Sequence, residues 1–274
     1  MTSLKLQTSP HDYRVVCECK PAPIVVGGQA VNLWAIVYLT PEVPRANLVS
    51  KDLDIVVSQD SFTHLKKVPG WVFQPKDTRN WLDSRLGALR STSSDGRPLL
   101  VEILHSVHGL TQSDLEAAAY VEFEGASYRV LDPVAMLKAK AMNVRDIPQD
   151  GPSPRQDRLH LQLIVRCVPE FLRDVHQSAV ADPTKQKQAL EVFSRAFRTL
   201  QNKKIASTLI AEGIAPRSLL PSEFAESPLE RIRKAYRWQM KMVPEASQPA
   251  LPASETRPSV AERPRQSPGP RMGM

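Results

Sequence analysis

Asp52 and Asp54 stand two residues apart in Ser50-Lys-Asp-Leu-Asp-Ile-Val-Val, a spacing that can do chemistry. In a strand the two carboxylates share one face, roughly 6.5–7 Å apart along the chain, while Leu53, Ile55 and Val57 turn to the other. Carboxylates so placed repel each other unless a cation lies between them. That suits Mg2+, which takes oxygen ligands from one or two carboxylates and from nucleotide phosphates. A solvated strand end shows the same pattern. Glu102 adds a third carboxylate, in the apolar run Leu99-Leu-Val-Glu-Ile-Leu-His105. A carboxylate embedded there is costly unless it is paired or binds a metal. If its strand neighbours that of Asp52 and Asp54, the three converge. Such a triad could hold two ions, activating an attacking hydroxyl and stabilising a leaving pyrophosphate. The other reading of Glu102 is an edge strand with the side chain in solvent.

Gly27 and Gly28 end the apolar run Ile24-Val-Val and open a helix. A helix start offers free N–H groups and a favourable dipole, and residues without Cβ let the backbone approach a phosphate closely. A tight turn needs the same pair. Glu102, His105 and His108 read E-x-x-H-x-x-H, which on a helix gathers a zinc site. In a strand, alternation sends Glu102 and His105 to opposite faces, so we expect no zinc there. His160 and His176 are expected as partly exposed helix residues. Cys17, Cys19 and Cys167 cannot complete a disulfide framework and lack the CxxC spacing of a zinc site. We expect small buried thiols in a reducing cytoplasm.

Several elements must position these groups. Strands are predicted over 13–18, 53–57, 99–105, 120–123 and 128–131, which are rich in Val, Ile and aromatics. Helices are predicted over 28–38, 133–143 and 155–168, with Gly151, Pro152 and Pro154 forming a loop between the last two. Residues 60–97 read ambiguously, with Trp71, Phe73, Trp81 and Leu82 supplying a local cluster. Ala189, Val192, Phe193, Ala196, Phe197 and Leu200 recur at the helical period. A second helix is predicted over 203–211, stopping at Gly213. A third, near 228–242, places Leu229, Ile232, Tyr236 and Met240 on one face and Arg231, Lys234, Arg237 and Lys241 on the other. The fold class is α+β: a mixed sheet with flanking helices over 1–184, a basic helical segment over 185–243 and a disordered tail over 244–274. The tail holds seven of the 24 prolines and no aromatic residue.

These pieces, in this order, resemble the nucleotidyltransferase superfamily with the DNA polymerase β-like fold. Within it they look most like the nucleotidyltransferase toxins of abortive-infection and toxin–antitoxin systems. The resemblance rests on IVVGGQAVNLWA, SKDLDIVV, VEILHSVHGL, LDPVAMLKAKAMNVRD and RQDRLHLQLI, from Ile24 to about Val168. It implies that Gly27, Gly28 and Ser50 contact nucleotide phosphates, and that Asp52 and Asp54 bind metal with Glu102 as ligand or base. By the same match Lys140 contacts the triphosphate and Asp157 orients groups of the site. Lys138 and Lys140 point about 200° apart on a helix, so only one faces a cleft. The spacing from Pro133 and the matching Leu137 favour Lys140; the alternative is that both are solvated surface lysines. Two departures stand out: the third carboxylate is Glu102 where the family usually has Asp, and the stretch from Gly28 to Asp52, with Pro41, Pro44 and Arg45, is long.

The chain of 274 residues has a net charge of +7, with 42% hydrophobic and 24% charged residues, which excludes a collagen-like or wholly disordered chain. The charge is uneven. Residues 1–184 carry 20 Lys+Arg against 21 Asp+Glu, and 185–243 carry 12 against 5. The basic segment fits a polyanionic acceptor such as tRNA; a solvated helical face is the alternative. The expected activity is Mg2+-dependent transfer of a nucleoside monophosphate from a nucleoside triphosphate (NTP), releasing pyrophosphate. RNA is the first choice of acceptor, and an antitoxin-like protein is an expected partner. A catalytically weak module that binds nucleic acid or a protein, and a small-molecule adenylyltransferase, are the alternatives. The N-terminus lacks a signal pattern, and residues 24–39 are too short to span a bilayer, so we expect a cytoplasmic protein without membrane contact.

Overall fold

Short runs of β-branched residues become strands where alternate positions can be buried. The computed structural model describes residues 8–43, 50–76, 84–150 and 155–245. Within them, β1 (Ile24–Val26), β2 (Leu53–Val56), β3 (Val72–Pro75), β4 (Arg85–Thr92), β5 (Pro98–Leu104), β6 (Ala119–Phe123) and β7 (Ala126–Val130) form one mixed sheet. Its order is β3-β4-β5-β2-β1-β7-β6. β2 runs antiparallel to β1 and parallel to β5, and β7 runs parallel to β1. The outer pairs β3–β4, β4–β5 and β6–β7 are antiparallel. In β5 Leu99, Val101 and Ile103 are buried while Glu102 sits on the opposite, partly open face. All three residues of β1 are buried, as expected of a strand covered on both faces.

The helices are α1 (Arg14–Cys17), α2 (Gly27–Leu39), α3 (Gln59–Leu65), α4 (Gln112–Glu116), α5 (Pro133–Asp146), α6 (Asp157–Ala181), α7 (Gln186–Gln201), α8 (Lys203–Ala211) and α9 (Glu230–Gln239). α2, α5 and α6 pack on one another, and α2 also packs on β1 and β2. α2 is buried over most of its length, so its polar residues need internal partners. The Gln29 amide donates to the Thr8 carbonyl at 3.0 Å, and the Trp34 indole N–H donates to the Leu131 carbonyl at 2.8 Å. α5 begins with Pro133 at its first position, capped by the Asp132 side chain, which accepts from the Ala135 N–H at 2.8 Å. α7, α8 and α9 pack through Phe193, Phe197, Leu209, Ile232 and Tyr236 into the same hydrophobic core as the sheet and α6. Among the described residues no helix is long and apolar enough to cross a membrane.

Two expectations need correction, and the stretch that read ambiguously takes a definite form. Residues 10–17 form a 3₁₀ turn running into α1, not a strand. Val16 and Cys17 are buried there and Val15 is exposed, a burial pattern too short to separate the two periods. α6 does not stop before Pro169 but continues to Ala181, because Phe171 and Leu172 are buried beyond it and Phe171 packs against Trp34 at 5.7 Å. The ambiguous stretch forms α3, β3 and β4, with Phe62 edge-on to Phe73 at 5.5 Å and Tyr13 near Trp71 at 6.2 Å. Pro44, Arg45, Trp81, Leu82, the loop residues Gly151, Pro152 and Pro154, and the expected tail from Ala246 lie outside the described residues.

Candidate active site

Strand register assembles the carboxylates. β2 and β5 pair with Asp54 beside Glu102, so both side chains leave the same face of the sheet. Asp52 immediately precedes β2. On the other side β1 sets Val26 opposite Asp54, which brings the next residue, Gly27, over the Asp54 carboxylate. Gly27 has φ +68°, and a Cβ there would overlap that carboxylate. Glycine is therefore required twice over. At Gly28 a Cβ would lie 2.8 Å from the Ser50 hydroxyl oxygen and 3.0 Å from His160 Cε1, so helix α2 starts against both side chains. Ser50 is held by its backbone: its carbonyl accepts from the Thr8 N–H at 3.0 Å and from the Thr8 hydroxyl at 2.8 Å.

The cationic side comes from α5 and the first turn of α6. Lys140 Nζ donates to Asp157 Oδ1 at 2.8 Å, with both side chains buried. Asn143 Nδ2 donates to the same oxygen at 3.2 Å, and Arg155 Nε donates to Asp157 Oδ2 at 2.6 Å. Lys138 turns the other way and meets Asp114 at 2.7 Å. Together Gly28, Ser50, Asp52, Asp54, Glu102, Lys140, Asp157 and His160 line a cleft of about 270 Å³, with Gly27 directly behind Asp54.

The electrostatics divide this cleft. Burial, the Asp52 charge and the Glu102 charge push Asp54 up to about 7. Burial and Glu102 also raise Asp52. Burial would raise Asp157 as well, but Lys140, Arg155 and Asn143 outweigh it and hold that carboxyl down at about 2. His160 is 7% exposed, and burial followed by the Lys140 charge lowers it to about 3, so its ring is neutral. Its Nδ1 is buried with no hydrogen-bond partner among the described residues.

Glu102 is engaged by Arg85, whose Nη1 donates to Oε1 at 2.8 Å. Among the described residues no three His, Cys, Asp or Glu side chains are gathered to hold a metal ion by themselves. The residues that could share a cation such as Mg2+ are the crowded pair Asp52 and Asp54, whose raised affinities for protons a cation would relieve. The E-x-x-H-x-x-H residues are dispersed: His105 is exposed beyond β5, and His108 sits 3.1 Å from Asp146. The three cysteines are free, with Cys17 and Cys167 buried.

Sequence reasoning overlooked Arg155 and placed His160 partly in solvent. His160 follows Asp157 by three residues on α6, a spacing that puts both side chains on one helical face. That spacing was the available signal. His176 is partly exposed, as expected, with Nε2 2.7 Å from the Ser227 hydroxyl. No family model matches the chain, and no curated protein matches it in sequence.

Proposed function

We propose that the chain is a metal-dependent nucleotidyltransferase of the DNA polymerase β-like fold, moving a nucleoside monophosphate from an NTP to an acceptor, with RNA such as tRNA the first choice. One observation carries the reading. Five separate segments of the sequence bring a Gly-Gly helix start, paired aspartates, a third carboxylate, a buried lysine and the aspartate that pairs with it to a single cleft. The triphosphate lies along the start of α2, where Gly27 and Gly28 admit phosphate oxygens to backbone N–H groups and Ser50 donates from the side. Lys140 supplies positive charge to the same oxygens, and Asp157 is a positioning residue that holds the ammonium in place. Asp52 and Asp54 would hold Mg2+, which supplies charge neutralisation at the transferring phosphoryl group. The acceptor hydroxyl attacks the α-phosphorus. A new P–O bond forms, the bond to the bridging oxygen breaks, pyrophosphate leaves, and Glu102 takes the hydroxyl proton.

A second reading is favoured by the Arg85–Glu102 contact, which occupies the carboxylate that would serve as base. On that reading the chain is a weakly catalytic module that binds nucleic acid or a protein. Incubation with each α-³²P-labelled NTP, Mg2+ and total RNA separates the two. Label on RNA that disappears in Asp52→Ala/Asp54→Ala supports transfer. Absence of incorporation by the wild type, or equal incorporation by the double variant, overturns it.

A further inference from the structure

Lys138 does not lie idle on the far side of α5. It opens onto a second cleft, of about 310 Å³, where α4, α5, α7 and the start of α8 meet. Lys138, Arg195 and Arg198 line it, with the Ser113 hydroxyl and Asn202, and Asp114 is the one carboxylate among the described lining residues. Arg195 is anchored from behind: one guanidinium nitrogen meets the buried Asp132 carboxylate, the same group that caps α5. Its other terminal nitrogen, Nη1, is buried and has no hydrogen-bond partner among the described residues. A buried guanidinium N–H without an acceptor is costly, more so than a neutral donor, so Arg195 keeps unspent hydrogen-bonding capacity beside the cleft. Arg198 spends its Nε on the Ser194 carbonyl and has no carboxylate partner among the described residues. Counting Asp114 and Asp132 against three cations leaves the cleft positive.

We propose that this cleft binds a phosphate group, at a site separate from the carboxylate cleft. A phosphate offers several acceptor oxygens at once. They match a guanidinium fork, an ammonium and a hydroxyl better than the two oxygens of a carboxylate, which Asp114 and Asp132 already provide internally. The group is either a free or terminal phosphate or a backbone phosphate of an RNA strand, and the assay has an arm for each. This inference does not depend on nucleotidyl transfer, so it is tested in the Asp52→Ala/Asp54→Ala background as well as in the wild type.

The full chain is titrated with inorganic phosphate by ³¹P NMR, and with a fluorescein-labelled single-stranded RNA dodecamer by anisotropy, at low and moderate salt. Lys138→Gln/Arg198→Gln leaves the Arg195–Asp132 anchor intact. Lys20→Gln/Lys67→Gln, two exposed lysines outside the basic segment and both clefts, removes the same charge elsewhere. The expected result is at least tenfold weaker binding of one or both ligands in the cleft variant, little change in the Lys20/Lys67 control, and the same pattern in the Asp52→Ala/Asp54→Ala background. Loss with both ligands identifies a small-phosphate site, and loss with RNA alone identifies a strand phosphate. Equal weakening by both double variants, no weakening, or no binding of either ligand by the wild type overturns the proposal. Circular dichroism checks that each variant is folded. Acetate at equal ionic strength must fail to compete; competition by acetate as strong as by phosphate also overturns it.

Discussion

Lys138 and Lys140 are the same residue type two positions apart on one helix, yet their surroundings differ sharply. Lys140 is sealed against Asp157, while Lys138 is more exposed and shares Asp114 with the capping residue Thr111. Breaking a buried pair leaves a charge uncompensated, which costs about 3–5 kcal/mol, whereas a partly exposed pair contributes about 1 kcal/mol or less. Asp157→Ala is therefore expected to lose several-fold more stability in urea unfolding than Lys138→Met. The Asp157 carboxyl also carries a pH signature. Its folded value, about 2, lies below the unfolded value of 3.8, so its stabilisation is complete above about pH 5 and is lost as pH falls towards 2. The slope of stability over pH 5 to 2.5 should shrink in Asp157→Asn, whatever the absolute stability of that variant. Asp54 works in the opposite sense. Raised to about 7, it costs stability as pH climbs above its unfolded value, and a cation must displace its proton at any pH below 7. Stabilisation by Mg2+, measured by thermal unfolding, should be larger at pH 8 than at pH 6 and vanish in Asp52→Asn/Asp54→Asn. A convergence of this kind was legible in residue types and spacing for Asp52, Asp54 and Glu102. The partners Arg155, Asn143 and Arg85 were not, because nothing in their local pattern says which carboxylate a long side chain will reach.

At the scale of elements, the close approach of α2 to β2 rests on Gly27, for which Gly70 is the contrast. Gly27 combines a left-handed backbone with contact to the Asp54 carboxylate, whereas Gly70, at φ +78°, has open space around it. An alanine at either pays the left-handed penalty of about 1–2 kcal/mol. Only Gly27→Ala also displaces Asp54, so it should destabilise more than Gly70→Ala in urea unfolding and weaken Mg2+ binding, while Gly70→Ala leaves Mg2+ binding unchanged. The bounds of α8 and the apolar stripe of α7 were legible, because their period repeats over several turns. β3 and β4 were not. Val72 is exposed, Gly87 meets the Phe73 ring, and the pair lies at the end of the sheet, so neither strand shows the strong alternation that marks a half-buried one. The continuation of α6 past Pro169 escaped for a related reason. A proline argues locally against a helix, and the burial of Phe171 and Leu172 that overrides it is a tertiary fact.

Across the whole molecule, the 12 Lys+Arg of residues 185–243 are less available than their number implies. Lys234 pairs with Glu230 at 2.6 Å and Arg237 with Glu226 at 2.7 Å, while Arg195 spends its charge on Asp132. The polar face of α9 is thus about half neutralised, and the cations left without carboxylates there count for more in any polyanion contact. The basic segment is also not mechanically separate from the sheet. Phe224, on a short 3₁₀ turn, meets the Phe193 ring at 4.8 Å, the His176 ring at 4.9 Å and the Tyr236 ring at 6.2 Å, which joins α6, α7 and α9 in one aromatic cluster. Through α6 that cluster is continuous with Phe171 and Trp34, beside the helix whose start faces the cleft. If the two parts share one core in solution, they unfold together. Phe224→Ala, a truncation of about 3–5 kcal/mol at a fully buried ring, then lowers the stability of the sheet as much as that of the helices. Urea transitions followed by tryptophan fluorescence in a Trp238→Phe background, which leaves Trp34 and Trp71 among the reporters, should coincide with those followed by far-ultraviolet circular dichroism, before and after the substitution. Two separated transitions, with only one moved by Phe224→Ala, would show the helical segment to be a unit of its own, and the path from that aromatic cluster to the cleft would then carry no shared stability.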